Sequence, residues 1–321
     1  MSPTLFTRRR SASVSHLGES RLIAAVRRWL GDTSPRTPFG IGDDCAVLPP
    51  TRRAQLVTTD PVIFGRHFDA SVPARQVGAK LLKRNLSDIA AMGGRPVAAV
   101  ISLALAPETN VDWLRGFYLG LAATARRYRV QIVGGDITQA PTGFFGAFLT
   151  LHGEAGSPRV VTRTGARAGD RIYVTGRLGG SLLGGHYRFT PRLAEGAWLA
   201  GRPEVRAMMD LSDGLAKDIG SLTSPGLSPA LCGPAIPMSA AARRLARRTG
   251  RDALSHALGD GEDYELLIVV RGDSSTAALA AAWRRRFPQL TLSLIGVFSQ
   301  SGNLPAGALA LGEHHGYEHL R

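Results

Sequence analysis

The sequence is poor in several features that mark common protein classes. Its 321 residues include only two cysteines, Cys45 and Cys232, which excludes a disulfide framework and a four-cysteine zinc site. No apolar run approaches the roughly 18 residues that a membrane-spanning helix needs. No apolar stretch follows Arg8, Arg9 and Arg10, as it would in a cleaved signal peptide. We therefore expect a cytoplasmic globular protein.

Lysine is also scarce, and the lysines that exist exclude one large class of kinases. Only Lys80, Lys83 and Lys217 are present among 39 basic residues, and none lies in the Gly-x-x-x-x-Gly-Lys-Ser/Thr setting of a P-loop. The Gly-Ile-Gly at 40–42 is followed by two aspartates and lacks the third glycine of a dinucleotide-binding turn. The sequence therefore excludes a P-loop kinase and a Rossmann dehydrogenase.

The net charge of +14 permits two interpretations. A strongly basic chain is typical of nucleic-acid binding, but an arginine-rich composition throughout a genome produces the same excess. The arginines are spread along the chain, and no nucleic-acid-reading motif accompanies them. The charge alone leaves both interpretations open.

Hydrophobic periodicity predicts alternating helices and strands with few hairpin signals, which indicates an α/β or α+β protein. We expect helices over 17–30, 73–92, 111–128 and 275–287, and strands over 54–59, 97–105, 130–133, 144–152, 171–175, 264–270 and 291–297. Gly, Ser and Pro cluster near 155–158. The pattern predicts a disordered basic tail over 1–16, an N-terminal domain over 17–155 and a C-terminal domain over 156–321.

Aspartates beside glycines and at predicted element ends form the most informative pattern in the chain. They occur in six short motifs: Gly-Ile-Gly-Asp-Asp (40–44), Thr-Thr-Asp (58–60), Asn-Leu-Ser-Asp (85–88), Gly-Gly-Asp (134–136), Asp-Leu-Ser-Asp-Gly (210–214) and Gly-Glu-Asp (261–263). Mg²⁺ prefers oxygen ligands and binds through a few carboxylates together with substrate phosphates. Glycines let the backbone approach a phosphate closely.

Each aspartate motif alone is also typical of a turn or a helix cap. Asp88 is different, because it falls within an apolar helix, where an unpaired carboxylate is costly. Asp60 is predicted to end a hydrophobic strand, a position where open α/β sheets collect ligands. The residues themselves thus indicate an Mg²⁺-dependent, phosphate-handling enzyme.

The ordered set of motifs resembles the thiamine-monophosphate kinase family, one of the aminoimidazole ribonucleotide synthetase-like ATP-binding enzymes. The similarity spans about 39–317 and rests on eight motifs: GIGDDCAVL (40–48), TTD (58–60), GRHF (65–68), NLSDIAAMG (85–93), GGD (134–136), TRTGA (162–166), DLSDGL (210–215) and GEDYEL (261–266). The resemblance implies an N-terminal mixed-sheet α/β domain that binds ATP and Mg²⁺, a C-terminal α+β domain, and a homodimer in which the N-terminal sheets pack together.

The resemblance also implies a reaction and a set of site residues. The expected reaction transfers the γ-phosphoryl group of ATP directly to the phosphate of thiamine monophosphate, the final step of thiamine diphosphate synthesis. Positions matching magnesium ligands are Asp44, Thr58, Thr59, Asp60, Asp88, Asp136, Asp210 and Asp213. Positions matching ATP contacts are Gly135, Asp136, Arg163 and Ser212, and those matching substrate contacts are His67, Glu262 and Tyr317. A phosphate monoester is largely dianionic at neutral pH, so we nominate no general base.

Several alternatives accompany this assignment. Apart from the resemblance, the residue types are also typical of a structural hydrogen-bonding residue at His67, a turn cap at Glu262 and a packing residue at Tyr317. The segment 185–209 looks shorter than in many relatives, and the Gly-Asp-Gly at 259–261 departs from their usual spacing. Another ATP-using enzyme of the same superfamily and a basic nucleic-acid-binding protein are the alternative functions. A selenophosphate-forming enzyme is excluded, because residues 1–37 contain no cysteine.

Overall fold

Local capping sets the ends of several helices in the computed structural model, which describes residues 3–37, 39–41, 45–273, 275–314 and 316–317. The helix after Asn110, for example, begins where the Asn110 side chain accepts a hydrogen bond from the Asp112 N–H, and it ends at Arg129, whose φ is 56°. Ten α-helices form within the described residues: α1 Val14–Leu17, α2 Glu19–Leu30, α3 Ala74–Ala91, α4 Val111–Tyr128, α5 Gly185–Arg188, α6 Leu193–Ala200, α7 Leu215–Asp218, α8 Ala240–Thr249, α9 Ala253–Gly259 and α10 Ser275–Arg286.

The chain divides into two compact units. The first consists of Met1–Ile89 and Arg95–Glu154, and the second of Ala90–Gly94 and Ala155–Arg321. The change from first to second unit at Glu154 and Ala155 lies one residue from the predicted boundary. The predicted class of a two-domain α/β (α+β) protein is confirmed.

The first unit contains a four-stranded sheet in the order β1-β4-β2-β3. Its strands are β1 Gln55–Ile63, β2 Gly94–Leu105, β3 Gln131–Gln139 and β4 Phe145–Ala155. β1 pairs antiparallel with β4, and β2 pairs parallel with β3. Stacked and edge-to-face rings of Phe68, Trp113, Phe117 and Phe145 form part of the core of this unit.

Helices α3 and α4 approach each other closely at two glycines. A Cβ at Gly78 would lie 1.9 Å from the Phe117 carbonyl oxygen, and one at Gly120 would lie 1.9 Å from that of Arg75. No side chain fits at either position, so the crossing of α3 over α4 depends on both glycines. This contact fixes α3, the helix that carries Asp88.

The second unit contains a five-stranded antiparallel sheet in the order β6-β8-β5-β9-β7. Its strands are β5 Arg171–Thr175, β6 Val205–Asp210, β7 Leu227–Leu231, β8 Leu266–Val270 and β9 Leu292–Gln300. Every residue of β8 is buried: Leu267 and Val269 enter one core, and Leu266 and Ile268 enter the other. Because both faces are covered, β8 reads as an unbroken apolar run.

Four strands differ from the sequence-based expectations. β1 does not end at Asp60 but continues to Ile63, and β3 does not end before Gly134 but runs through Asp136 to Gln139. β6 and β7 were not expected at all. All four are edge strands, which are hydrogen-bonded on one side only and tolerate residues without an N–H donor, such as Pro61 in β1 and Pro229 in β7.

The predicted disordered tail is wrong for the described residues before 17. Leu5 is buried, the Asn110 N–H donates to the Leu5 carbonyl at 2.8 Å, and the Thr7 N–H donates to the Glu108 carbonyl at 2.9 Å. Apolar anchors and backbone pairing hold a segment that looks disordered by composition. None of the helices in the described part of the chain is long and apolar enough to cross a membrane.

Candidate active site

Three residues of the predicted metal site meet between β1 and α3. The Thr58 hydroxyl donates to Asp88 Oδ2 at 2.5 Å. Arg84 Nη2 lies 3.2 Å from Asp60 Oδ1, with side-chain exposures of 9% for Arg84 and 27% for Asp60. Side chains at alternate positions of a strand share a face, so Thr58 and Asp60 both point towards α3. The predicted placement of Asp88 within a helix is confirmed.

Thr59 does not join this group. Its neighbours on the strand face α3, so its own side chain lies on the opposite face of the sheet. There it donates to the Leu149 carbonyl at 3.1 Å and accepts from the Thr150 hydroxyl at 3.3 Å. Asp44, another predicted ligand, lies outside the described residues.

Gly135 and Asp136 lie on β3, at the edge of the sheet opposite β1. A Cβ at Gly135 would lie 2.1 Å from the Ile101 carbonyl oxygen, so the two strands meet closely there. Asp136 is exposed and accepts from the Thr138 hydroxyl at 3.1 Å. β1 and β3 are three strand spacings apart, about 14 Å measured across the sheet, so Asp60 and Asp136 of one chain do not contact each other.

A cavity of about 440 Å³ lies beside this glycine pair. Apolar side chains form most of its wall, and burial raises the pKa of Tyr118, one of its lining residues. The residues that line it are Glu19, Ile23, Val26, Leu30, Ile41, Ile101, Tyr118, Ile132, Gly134, Gly135, Asp136 and Ile137. An apolar cavity that opens next to glycine N–H groups can accept a flat base together with an attached phosphate.

The loop after β1 holds His67 in one tautomer. The Ile63 N–H donates to His67 Nδ1 at 3.0 Å, so Nδ1 is an acceptor and the neutral ring carries its proton on Nε2. The ammonium of Lys80, which is fully buried in α3, donates to the His67 carbonyl at 2.6 Å. These contacts orient an Nε2–H donor that suits a phosphate oxygen.

Sequence reasoning missed Lys80 and Arg84, although a signal for both exists. Lys80, Arg84 and Asp88 follow one another at intervals of four, which places them on one face of α3. A polar stripe along an otherwise apolar, buried helix marks a site rather than a solvated surface. Lys83 lies beside this stripe, where burial, with the nearby Arg127 charge, lowers its pKa to about 8.

In the second unit, backbone hydrogen bonds join two distant segments at the end of β6. Asp210 ends the strand and is buried. The Glu262 N–H donates to the Ser212 carbonyl at 2.7 Å, and the Tyr264 N–H donates to the Leu211 carbonyl at 2.8 Å. The predicted site residues Asp210, Ser212, Asp213 and Glu262 are therefore brought to one loop cluster.

Tyr317 reaches the same cluster through its backbone. Its N–H donates to the Asp213 carbonyl at 2.9 Å. Lys217 Nζ donates both to Asp213 Oδ2 and to the Tyr317 carbonyl, each at 2.6 Å. The Tyr317 ring is not needed for these bonds, and the residue is 42% exposed.

Asp218 shapes the loop that presents Ser212 and Asp213. Its Oδ2 accepts the N–H groups of Ser212, Asp213 and Gly214 at 2.9, 3.0 and 3.1 Å. Burial raises the pKa of Asp218 to about 7; the charges of Asp213 and Asp210 act in the same direction, and the N–H groups oppose them. This residue was not among the predicted site residues, because its role depends on a loop closing back on a helix.

Glu262 is framed by aromatic side chains. The Tyr264 hydroxyl donates to Glu262 Oε1 at 3.2 Å, and His186 Nδ1 lies 3.6 Å from Glu262 Oε2. Phe189 stacks on Tyr264 with ring centroids 3.9 Å apart. Glu262 and Tyr264 have φ values of 53° and 52°, which non-glycine residues rarely adopt.

The glycine-rich turn after β5 is held by the Gly-Asp-Gly motif at 259–261, whose spacing differs from that of relatives. The Gly180 N–H donates to Asp260 Oδ2 at 2.9 Å, and His256 Nδ1 lies 2.8 Å from Asp260 Oδ1. The Gly179 N–H donates to Asp263 Oδ1 at 2.8 Å. Asp260 and Asp263 thus have structural roles, and the unusual spacing gives a well-tied loop.

Arg163 lies next to β6. The Met208 N–H donates to the Thr162 carbonyl at 3.0 Å, which fixes the preceding residue against the strand, while Arg163 itself is exposed. Its guanidinium is therefore presented on the surface of the second unit.

The donor chemistry of both units suits Mg²⁺, although the ligand sets are incomplete. Within the described residues, no three or more His, Cys, Asp and Glu side chains form a group that could hold a metal ion. The oxygens of Thr58, Asp60 and Asp88, however, are the hard donors that Mg²⁺ uses, and such sites take their remaining ligands from substrate phosphates and water.

Known proteins are similar to this chain in both sequence and fold. The family described as AIR synthase related protein, N-terminal domain, matches residues 42–155. The chain is 36% identical over 260 residues to the thiamine-monophosphate kinase of Rhodopirellula baltica, covering 78% of this chain and 81% of that protein. It is 35% identical over 276 residues to that of Salmonella typhimurium, covering 79% of this chain and 82% of that protein.

Solved structures agree with these sequence relatives. Thiamine-monophosphate kinase from Stenotrophomonas maltophilia superposes with a TM-score of 0.76 at 30% identity, covering 89% of this chain and 97% of that chain. A structure described as AaThiL complexed with AMPPCP and TMP superposes with a TM-score of 0.71 at 29% identity, covering 98% of this chain and all of the other. Escherichia coli HypE, at 18% identity, shares the fold alone. The chain belongs to the thiamine-monophosphate kinase family.

Proposed function

We propose that this kinase transfers the γ-phosphoryl group of ATP to the phosphate of thiamine monophosphate, giving ADP and thiamine diphosphate as the final step of that cofactor's synthesis. The relatives named thiamine-monophosphate kinase support the reaction, and the AaThiL structure described as a complex with AMPPCP and TMP supports both substrates.

The observation that carries the proposal is the convergence at the end of β6. Asp210, Ser212, Asp213, Glu262 and Tyr317 span more than 100 positions of sequence, yet backbone hydrogen bonds tie their segments into one cluster. A fold without this function has no reason to collect a metal-type carboxylate, a cation-binding carboxylate and an exposed aromatic ring there. Thiamine is cationic, so Glu262 offsets its charge and Tyr317 stacks on a ring.

The site residues have to overcome the electrostatic repulsion between the acceptor phosphate and the polyphosphate of ATP. The acceptor phosphate, with a second pKa of about 6, is largely dianionic and attacks without a general base. His67 Nε2–H donates to it, and Arg163 binds the polyphosphate of ATP with charge-assisted hydrogen bonds. Ser212 is the other residue of the second unit that we assign to ATP.

The nucleotide base enters the apolar cavity beside Gly135 and Asp136. Gly134 and Gly135 carry no side chain that would keep a phosphate away from their backbone N–H groups. The cavity's volume of about 440 Å³ suits a purine with its ribose.

Mg²⁺ is the cofactor of the proposed reaction. Its expected ligands are Asp44, Thr58, Thr59, Asp60, Asp88, Asp136, Asp210 and Asp213. Bound Mg²⁺ neutralises the charge of the phosphate groups and helps to hold them in line. Asp60 and Asp136 lie at opposite edges of the first sheet.

The exposed face of the first sheet supports the proposed homodimer. Val57 on β1, Val100 on β2 and Phe148 on β4 are exposed on the face away from α3, and Val57 is 67% exposed. Several large apolar side chains exposed on one sheet face are typical of a protein interface. We assign it to a second copy of this chain. The reaction belongs in the cytoplasm, where ATP is available and thiols stay reduced.

A coupled ADP-release assay tests the proposed function. Thiamine monophosphate with Mg²⁺ is expected to give ADP, whereas omission of Mg²⁺ or replacement by unphosphorylated thiamine is expected to give none. ADP release with thiamine alone would indicate a different kinase, and the absence of turnover with either acceptor would contradict the proposal. Binding of a specific DNA sequence that survives about 200 mM salt would favour the nucleic-acid alternative instead.

A further inference from the structure

Residues 4–15, here called the N-terminal strap, are tied to the loop that precedes α4. Backbone bridges join Phe6 with Thr109 and Ser13 with Asn110. The Val14 N–H, at the end of the strap, donates to the Thr109 carbonyl at 2.9 Å. Because these bonds are made by the backbone, they place the strap regardless of its arginine-rich composition.

Phe6 is the strap's contact with the His67 loop. Its ring meets that of Phe64 edge-on, with centroids 5.6 Å apart and an interplanar angle of 88°. Phe64 in turn meets Phe68 at 5.5 Å, and the Gly65 N–H donates to the Phe68 carbonyl at 2.9 Å. His67 therefore lies in a short loop that ends in two aromatic residues, Phe64, which contacts Phe6, and Phe68, which contacts Phe64.

The other side of this loop is incompletely packed. A cavity of about 610 Å³ is lined by Leu5 of the strap together with Phe64, Phe68 and Trp113. A pocket of this size holds water, so the side chains that line it lack protein contacts on that side. The Phe64 end of the loop therefore depends on the strap more than it would in a filled core.

We propose that Phe6 is a positioning residue for substrate binding: it holds Phe64, and through Phe64 the loop that presents His67 to the phosphate monoester of the substrate. This inference rests on the proposed function of His67. The Ile63 N–H and Lys80 fix the ring tautomer and the carbonyl of His67, and Phe6 fixes the place of the loop that carries them.

The test compares Phe6→Ala with two matched variants. Phe6→Tyr keeps the ring and is the rescue variant, and Arg8→Ala changes an exposed residue of the same strap. For Phe6→Ala we expect the KM for thiamine monophosphate to rise roughly two- to tenfold, the size of one aromatic contact, with kcat and the KM for ATP nearly unchanged. Hydrogen–deuterium exchange of residues 63–68 should become faster. The two matched variants should behave as the unmodified protein does.

A merely structural role for the strap predicts other results. If Phe6→Ala lowers the thermal midpoint but leaves both the KM for thiamine monophosphate and the exchange of 63–68 unchanged, the proposal is wrong. An equal rise of the KM for ATP would also overturn it. Failure of the proposed function is distinguishable, because the unmodified protein would then release no ADP with thiamine monophosphate, while the exchange measurement still tests whether Phe6 holds the loop.

Discussion

Two predicted metal-binding aspartates of the first unit and two loop-shaping aspartates of the second unit are held in different ways. In the first unit, Asp60 and Asp88 are partnered by other side chains, the Arg84 guanidinium and the Thr58 hydroxyl. In the second, Asp218 and Asp263 accept hydrogen bonds from backbone N–H groups of loops. Side-chain partners can rearrange when a ligand arrives, whereas backbone N–H groups define the loop itself. The first arrangement suits ligand binding and the second suits loop construction.

The largest effect on activity is expected at Asp88, where it tests whether this carboxylate of the first unit binds a ligand. Asp88→Asn keeps an acceptor for the Thr58 hydroxyl but removes the charge that a metal ligand needs. We expect kcat with thiamine monophosphate to fall at least about 100-fold, with a nearly unchanged thermal midpoint. Asp32→Asn is the control, because Asp32 also has a side-chain partner, Arg126, but lies on the exposed surface. Near-normal activity of Asp88→Asn would remove Asp88 from the metal site.

A smaller effect is expected where a buried cation holds the His67 loop. Lys80→Met preserves length but leaves the His67 carbonyl without its ammonium donor, which should cost about 1–3 kcal/mol in the free energy of unfolding and raise the KM for thiamine monophosphate. Lys83→Met on the same helix is the control. Burial already lowers the pKa of Lys83 to about 8, so loss of its charge should cost less. Denaturant unfolding and steady-state kinetics measure both; equal losses would contradict the distinction.

The pH dependence of stability tests the structural role of the loop aspartate Asp263 in the second unit. Burial raises the pKa of Asp263 well above 3.8. The hydrogen bond from the Gly179 N–H opposes this shift, whereas the charges of Glu265, Asp260 and Asp218 act in the same direction as burial. A raised pKa means that the folded state binds the proton more tightly. Its stabilisation is therefore complete below pH 3.8 and is lost as the pH rises through the raised value. Asp263→Asn should flatten this decline in the thermal midpoint.

Asp252 supplies the opposite control. The Ser255 N–H lowers the pKa of Asp252, the N-cap of α9, so its stabilisation is present above 3.8 and lost at more acidic pH. Asp252→Asn should alter only this acid limb. An unchanged slope above pH 3.8 in Asp263→Asn would show that Asp263 does not cause the decline.

The smallest effect is expected at Tyr317. Its backbone makes the bonds to Asp213 and Lys217, so Tyr317→Phe should leave the kinetics unchanged. Tyr317→Ala should raise the KM for thiamine monophosphate about two- to fivefold through loss of ring stacking. A large fall in kcat for Tyr317→Phe would instead give the hydroxyl a direct part in the reaction.

The sequence predicted the interior of the fold better than its margins. α3, α4 and β5 lie almost where periodicity places them, because a buried face imposes a regular apolar pattern. The errors concern edge strands. Pro61 lies inside β1, where an edge strand tolerates a residue that lacks an N–H donor, so the Asp-Pro pair looked like a strand end.

Some residues of the candidate site were likewise predictable from the sequence, and others were not. Asp88 was predictable, because a carboxylate in an apolar helix is unusual. Asp218 and His186 were not, since their roles arise from a loop that folds back and from a short helix that meets Glu262. The N-terminal strap was mistaken for a disordered tail, because pairing with residues about 100 positions away leaves no local signal.

The positive φ angles of Glu262 and Tyr264 have a consequence for protein engineering. Left-handed backbone costs a non-glycine residue about 1–2 kcal/mol, so glycine at position 262 would remove a local strain and favour the folded state. The same change would delete the carboxylate that we assign to the cationic substrate. A screen for heat resistance alone would therefore select against Glu262, whereas a screen for turnover would retain it. Stability and activity are opposed at this one position.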